Sequence, residues 1–374
     1  MRSRHSIVLW IGPLILATGA VLASSPSQNQ TPSPPPPPPA RVDVQKVADG
    51  VYAALRTEPP GLMFDCNSIF LINDSDVIVV DTNITPSSAR QSLTALRAIT
   101  PKPVTAVINT HWHDDHIVGN QVYRDAVPGI EFIGQTTTKQ DLPTTGANNR
   151  EQLLKMGPQM VQQLQMSVEQ RKSLTGNVLT DEERTSYLSD VTSAQRYFAE
   201  APTIQIVMPT TFVDTSLKLT RGHREIDVLY LGRAHTAADL VVWLPAERIA
   251  ITGDLVVSPI PLIGSTSHPL DFGATLEKLL ALKPAVFIPG HGPVMRDDKY
   301  VRQEVALLGS LKTQVLAAVG RGESLAQARK SVNLEEFKKQ FAGTSQLLGF
   351  VFDQYVTSSG VGAGYKDATA AKQP

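Results

Sequence analysis

Cysteine is nearly absent: Cys66 stands alone among 374 residues, so no intrachain disulfide can form. No histidine or other base lies near it in sequence, and it reads as a small apolar residue rather than a nucleophile. Aromatic residues make up 6% and charged residues 18% of the chain, against 42% hydrophobic. That is the balance of an ordinary globular protein with a sizeable core. The net charge of −1 shows no basic surplus, which argues against nucleic acid as a partner. Long apolar runs are also missing, with one exception. Ile7 to Ala23 is uncharged, follows Arg2 and Arg4, and ends in Val21-Leu22-Ala23 before Ser24-Ser25, the pattern of an export signal. Residues 1–23 are therefore expected to be a signal peptide that sends the mature chain to the periplasm or outside the cell. Left uncleaved, the same segment would act as a membrane tether.

Residues 24–41 form a proline-rich stretch, SPSQNQTPSPPPPPPA at its heart, that cannot pack a core and reads as a stiff linker. The folded region is expected over 42–374. Short apolar runs predict strands at Val51–Leu55, Asn67–Ile72, Val77–Val80, Val104–Ile108 and Ile130–Ile133. A helix opened by Pro86 places Ala89, Leu93, Leu96 and Ile99 on one face. Gly146–Pro202 has a different texture, rich in Gln, Glu, Lys and Ser, and reads as a helical insert (146–202). Gly157-Pro158 should break or kink its first helix, and Asp181 should cap its second. Strands then resume at Ile204–Val207, Leu217–Leu219, Ile226–Leu231, Leu240–Trp243, Ile249–Thr252 and Ala285–Ile288, with a helix over Leu276–Leu282. A helical C-terminal extension is expected over 297–358, and the Gly/Ala/Lys-rich end after Ser358 is expected to be loose. Strands interspersed with helices indicate a layered α/β fold.

What the chain does have is histidine in a telling place. His111-Trp112-His113-Asp114-Asp115-His116 follows the apolar run Val104–Ile108 and packs three imidazoles and two carboxylates into six residues. His and Asp together suit zinc or another first-row divalent ion. In extended backbone His111 and His113 alternate onto one side, while a following turn brings Asp115 and His116 to a neighbouring point. That spacing suits two metals rather than one. Three later segments repeat one form, an apolar strand, a glycine and a ligand-capable side chain: Gly232 with His235, Gly253 with Asp254, and Gly290 with His291. A solvated polar loop is the plain alternative, but five of the eight histidines fall in these places.

HWHDDH, GRAHT, TGD and PGHG, in this order, resemble the metallo-β-lactamase superfamily over roughly Val42 to Arg296. The resemblance implies an αβ/βα four-layer sandwich with a dinuclear site at one edge of the paired sheets. By matched position, His111, His113 and His235 would hold one metal, Asp115, His116 and His291 the other, and Asp254 would bridge them. Asp81, at the end of Val77–Val80, matches an aspartate that supports the metal loop from behind; a strand-end turn former is the other reading. The stretch from His235 to Pro245 is similar to the zinc β-lactamases. Yet those enzymes carry a cysteine at the place of Asp254, a non-histidine at His116, and usually a lysine at Val257. The all-His/Asp set is more similar to the glyoxalase II and lactonase branches.

The implied activity is that of an exported hydrolase using two divalent ions, most simply Zn²⁺ with Fe or Mn as possibilities. A bridging water would be activated to cleave a small-molecule ester, lactone, thioester or amide, with Asp115 orienting it and moving a proton. A true β-lactamase and an iron-dependent sulfur dioxygenase of the same fold are the alternatives. Met63 and Phe64 in the apolar segment Gly61–Phe64, and Ile260 after Asp254, are the expected substrate contacts. Met156 and Met160 of the insert either touch an apolar ligand or pack the insert onto the domain.

Overall fold

A computed structural model describes residues 37–39 and 41–370. The expected signal segment 1–23 and the greater part of the linker 24–41 lie outside the described residues. At the linker's end the carbonyls of Pro37 and Pro38 accept hydrogen bonds from Arg196, so this end rests against the insert.

Among the described residues, twelve strands form two sheets. The first runs in sequence order, β1 (Val42–Ala48), β2 (Val51–Arg56), β3 (Ser68–Ile72), β4 (Val77–Val80), β5 (Val104–Ile108), β6 (Glu131–Gln135) and β7 (Thr211–Val213). Its first three pairings are antiparallel, and its last three parallel. The second sheet comprises β8 (Ser216–Arg221), β9 (Arg224–Tyr230), β10 (Leu240–Leu244), β11 (Ile249–Val257) and β12 (Val286–His291), in the spatial order β12-β11-β10-β9-β8.

The period-2 side-chain pattern explains how the layers stack. On β4, Ile78 and Val80 point to one face and Val77 and Val79 to the other, all fully buried. The inner face joins Ala106 and Ile108 to Ile226, Val228, Val242, Ile251 and Ile288 of the second sheet, so the sheets pack on each other. On the far side of the first sheet, Val77, Val79, Val107 and Phe132 meet Ala89, Leu96 and Tyr123 of covering helices. Beyond the second sheet, Val241, Ala250 and Phe287 meet Phe272, Leu276, Leu307 and Leu311. The result is the αβ/βα four-layer sandwich, with helices inserted between β6 and β7 and a helical region after β12.

Several local expectations need correction. The helix Ala147–Gln170 runs through Pro158 without breaking. Gly157 is buried against the ring of Phe198, where a Cβ would come within 2.2 Å of it, so tertiary packing there outweighs the lost hydrogen bond. Thr180, not Asp181, caps the helix Asp181–Glu200, through a reciprocal pair with Glu183. Ile204–Val207 is not a strand; the ladder to β6 forms later, at Thr211–Val213. The segment after Ser358 is not loose: Ser359–Ala370 is a helix with Gly360, Val361, Ala363, Gly364 and Ala368 buried. Its small residues let it lie close to Leu311, Ile263 and Val315. Among the described residues no helix is long and apolar enough to cross a membrane.

Candidate metal centre

The seven expected ligands come together at one edge of the two sheets. β5 delivers His111 and His113, and the short helix Asp114–Ile117 turns Asp115 and His116 back toward them. His235 follows β9 in a loop, and His291 ends β12. Asp254 was expected at a strand end, but β11 continues to Val257 and Asp254 lies within it. The ladder to β12 slips on both sides of Gly253, whose φ is +50°. A side chain is excluded there, since a Cβ would sit 2.4 Å from Thr110 Oγ1. Gly290 is needed for a related reason: its Cβ would come within 2.1 Å of Asp254 Oδ1.

Two donor groups result, each with its ligand atoms within 4.8 Å of one another. His111, His113 and His235 form the first; Asp115, His116, Asp254 and His291 form the second. Asp254 faces both. Its Oδ1 lies 3.3 Å from His116 Nε2 and 3.4 Å from His291 Nε2, while its Oδ2 lies 3.5 Å from His235 Nε2. Asp115 Oδ2 stands 3.2 Å from His116 Nε2 and 3.1 Å from His291 Nε2. In the first group His113 Nδ1 is 3.0 Å from His235 Nε2.

These residues fit a metal. Among the described residues, the Nε2 atoms of His111, His116 and His291 and Oδ1 of Asp254 are buried with no hydrogen-bond partner. Buried polar atoms are normally satisfied, and a cluster of orphaned donors converging on one point marks a place for an ion. The opposite ring nitrogens are engaged, as ligating histidines require. His116 Nδ1 meets Asp81 Oδ2 at 2.8 Å, His235 Nδ1 meets the Leu262 carbonyl at 2.9 Å, and His291 Nδ1 meets the Asp65 carbonyl at 3.1 Å. His113 Nε2 contacts Thr266 Oγ1 at 3.1 Å. Asp81 thus supports the metal loop as well as making a strand-end turn. It also accepts hydrogen bonds from the Thr110 N–H and hydroxyl, and its own φ is +59°.

The two groups differ electrostatically. Burial, then the neighbouring imidazoles of His116 and His113, holds His111 well below the usual histidine range. Burial and His235 bring His113 down to about 3. In the second group burial also disfavours charge on His116 and His291. The carboxylates outweigh it, so His116 lies well above its ordinary value and His291 rises to about 10. Asp115 and Asp254 remain ionised: burial opposes their charge, but the facing imidazoles hold both well below the carboxylate range. A dication held by these residues would take the place of those protons.

Above the centre is a cleft of about 490 Å³, onto which His113, Asp115, His235 and Asp254 open. Of the expected substrate contacts, Phe64 lines it and packs edge-on against His291, with centroids 4.7 Å apart. Met63 does not line it. Its side chain is buried in the core, and the Asp190 carboxylate fixes the backbone there by accepting the Leu62 and Met63 N–H groups. Ile260 is buried and borders a neighbouring cavity instead. Met156 and Met160 line the cleft, and Met160 also packs on the core. His268 lies at a helix start beside Asp367, and exposed His223 caps the β8–β9 hairpin beside Asp74.

Sequence reasoning did not find Thr266, Tyr355 and Ser359 on the cleft wall. Nor did it find the anchoring of Asp114, whose carboxylate is held by the Arg150 guanidinium and by the Tyr197 hydroxyl at 3.0 Å. The acidic pair in HWHDDH was the available signal: only one of two adjacent carboxylates can face a common centre.

The family model of the metallo-beta-lactamase superfamily matches residues 62–291, more than half of the chain, and the chain belongs to that superfamily of metal-dependent hydrolases. It is similar to a linear primary-alkylsulfatase from a Pseudomonas species, 25% identical over 234 residues. That match covers 60% of this chain and 41% of the alkylsulfatase, so the chain spans about two-fifths of its relative's length. Among solved structures, a metallo-beta-lactamase from Pontibacter korlensis is 17% identical with a TM-score of 0.48, covering 72% of this chain and 99% of the other. The DIM-1 metallo-beta-lactamase, also 17% identical, has a TM-score of 0.47 and covers 72% and 98%.

Proposed function

We propose that the protein is an exported dinuclear hydrolase that cleaves a neutral, partly apolar ester, lactone, thioester or amide. The convergence of seven donor side chains into two groups that share Asp254 carries this reading. In it His111, His113 and His235 hold one divalent ion, Asp115, His116 and His291 hold the other, and Asp254 bridges. The set accepts zinc first, with iron and manganese close behind. Such ions supply Lewis acidity and bring a coordinated water to a pKa of roughly 7. Asp115 opens on the cleft, so its carboxylate can orient the attacking water, take its proton and pass it to the departing oxygen or nitrogen. The ester and water become an acid and an alcohol. Export rests on the N-terminal residues alone.

Neutrality follows from the walls. Leu62, Phe64, Leu153, Met156, Met160 and Leu262 line the cleft, and among the described residues no lysine or arginine does. Val257 stands where the β-lactamases usually place the lysine that holds a substrate carboxylate. A second reading, a sulfate ester of an alkyl chain, draws on the named relative and on these apolar walls. The missing cation weighs against it.

Metal-loaded protein should hydrolyse neutral esters or lactones and lose that activity with a chelator. Sulfate release from dodecyl sulfate without ester cleavage would favour the second reading. Turnover of nitrocefin alone would indicate a β-lactamase, and oxygen uptake with one iron per chain a dioxygenase. Asp115→Asn should lower turnover by roughly 10²–10⁴-fold with an unchanged circular dichroism spectrum; undiminished hydrolysis would refute its role.

A further inference from the structure

A second cavity of about 390 Å³ abuts the first. The two share Phe64, Leu262 and Tyr355, and they divide the metal ligands between them. His113, Asp115, His235 and Asp254 open on the cleft under the insert, and His291 opens on the second cavity. The divider is a built feature. Phe64 sets its edge against His291 and, with centroids 6.2 Å apart, against Tyr355. The Tyr355 hydroxyl reaches the carbonyls of Gly61 and Leu62 at 3.5 Å, joining the C-terminal helices to the segment that carries Phe64.

The walls differ in origin, and each has an apolar part. Leu153, Met156 and Met160 of the insert face the first cavity. Leu55, Pro59, Pro60, Ile260 and Val351 face the second. Arg56 and Asp65 also border the second cavity, but their charges lie 3.4 Å apart and both side chains are buried. Glu58 adds a carboxyl whose two oxygens are buried without a hydrogen-bond partner. Each cavity falls in the size range that encloses a small ligand, roughly 300–1,000 Å³.

We infer that the two cavities receive the two halves of one open-chain ester or amide, whose carbonyl lies at the metal centre where Phe64 and Tyr355 part them. This rests on the hydrolase reading above and narrows it. A small monocyclic lactone fills one cavity and leaves the apolar walls of the other wet. A substrate with an apolar arm on each side of the carbonyl buries both.

The test uses two ester series with metal-loaded full-length protein. One lengthens the acyl chain on a fixed alcohol, and the other lengthens the alcohol on a fixed acid. Both series should show rising kcat/KM with length. Met156→Trp, on the insert, should shorten the preferred chain in one series only. Pro60→Trp, on the exposed lip of the second cavity, should shorten it in the other. Each should cost the long member about tenfold, the worth of roughly two buried methylenes. Calorimetry gives a readout apart from turnover: a dialkyl ketone with two long arms should bind about tenfold tighter than a methyl ketone with one. Equal binding, both variants acting on one series, or esters with no arm preference would overturn the inference and leave the hydrolase reading standing. Failure to cleave any ester, lactone, thioester or amide would overturn both.

Discussion

The floor and the roof of the cleft are made on different terms. The floor is seven donors carried on β11, the end of β12 and the segments that follow β5 and β9; the far nitrogens of His116, His235 and His291 are hydrogen-bonded, and the near atoms of His111, His116, His291 and Asp254 are orphaned. The roof is the helix Ala147–Gln170, backed by Asp181–Glu200, and the pair is held to the rest by apolar packing of Val161, Leu164, Tyr187 and Val191 and by a few buried polar contacts. Asp190 grips the Leu62 and Met63 N–H groups, Ser186 reaches the Pro60 carbonyl, and Arg150 with Tyr197 holds Asp114. Chemistry therefore belongs to the floor and selection to the roof. The one residue step from Asp114 to Asp115 is where they touch.

Changes on each side should have separable effects. Asp254→Ala should be the most severe, since its two oxygens face both groups; elemental analysis should show less than one metal per chain, and turnover should fall by orders of magnitude. A protein that keeps two metals would remove the bridging role. Asp81→Asn should weaken metal binding about 10–100-fold in chelator competition and leave KM nearly unchanged. Arg150→Met acts on the roof. It strands the Asp114 carboxylate, which is mostly buried at 17% side-chain exposure, and should cost about 3 kcal/mol in denaturant unfolding with full metal content. Loss of metal in that variant would break the division between floor and roof.

Asp190→Asn should have the mildest effect, visible as a change in pH dependence. Burial raises Asp190 to about 7 in the folded chain, against an ordinary 3.8. The folded state then binds more protons than the unfolded state between those values, so stability falls as pH rises from about 4 to about 7. Asparagine still accepts an N–H bond but cannot ionise, and its thermal unfolding curve should be flatter over that interval. An unchanged slope would show that Asp190 is not the group responsible.

The floor was legible in the sequence because its signals are local. Val77–Val80 and Val104–Ile108 are short apolar runs found within the bounds expected, and ligand types gather where they end. The slip at Gly253 was not legible, since it depends on Thr110 pressing from the other sheet. Met63 was misjudged because an aspartate 127 residues away sets the direction of its side chain. The same holds for Asp114 and Arg150, which lie 36 positions apart and leave no periodic trace. At the C-terminus, glycine and alanine suggested looseness, yet small side chains are what allow Ser359–Ala370 to lie close against its neighbours.

The point of insertion has a further consequence. β6 and β7 pair directly, Ile133 beside Thr211, so the intervening excursion leaves and re-enters the sheet about one strand spacing apart, roughly 4.8 Å. Its entry and exit make no demand on its length, because closing a longer or shorter loop alters the entropy only slowly. The excursion therefore behaves as a cassette. Exchanging it for another of different shape would refashion the chamber while the ion-binding edge stayed as it is.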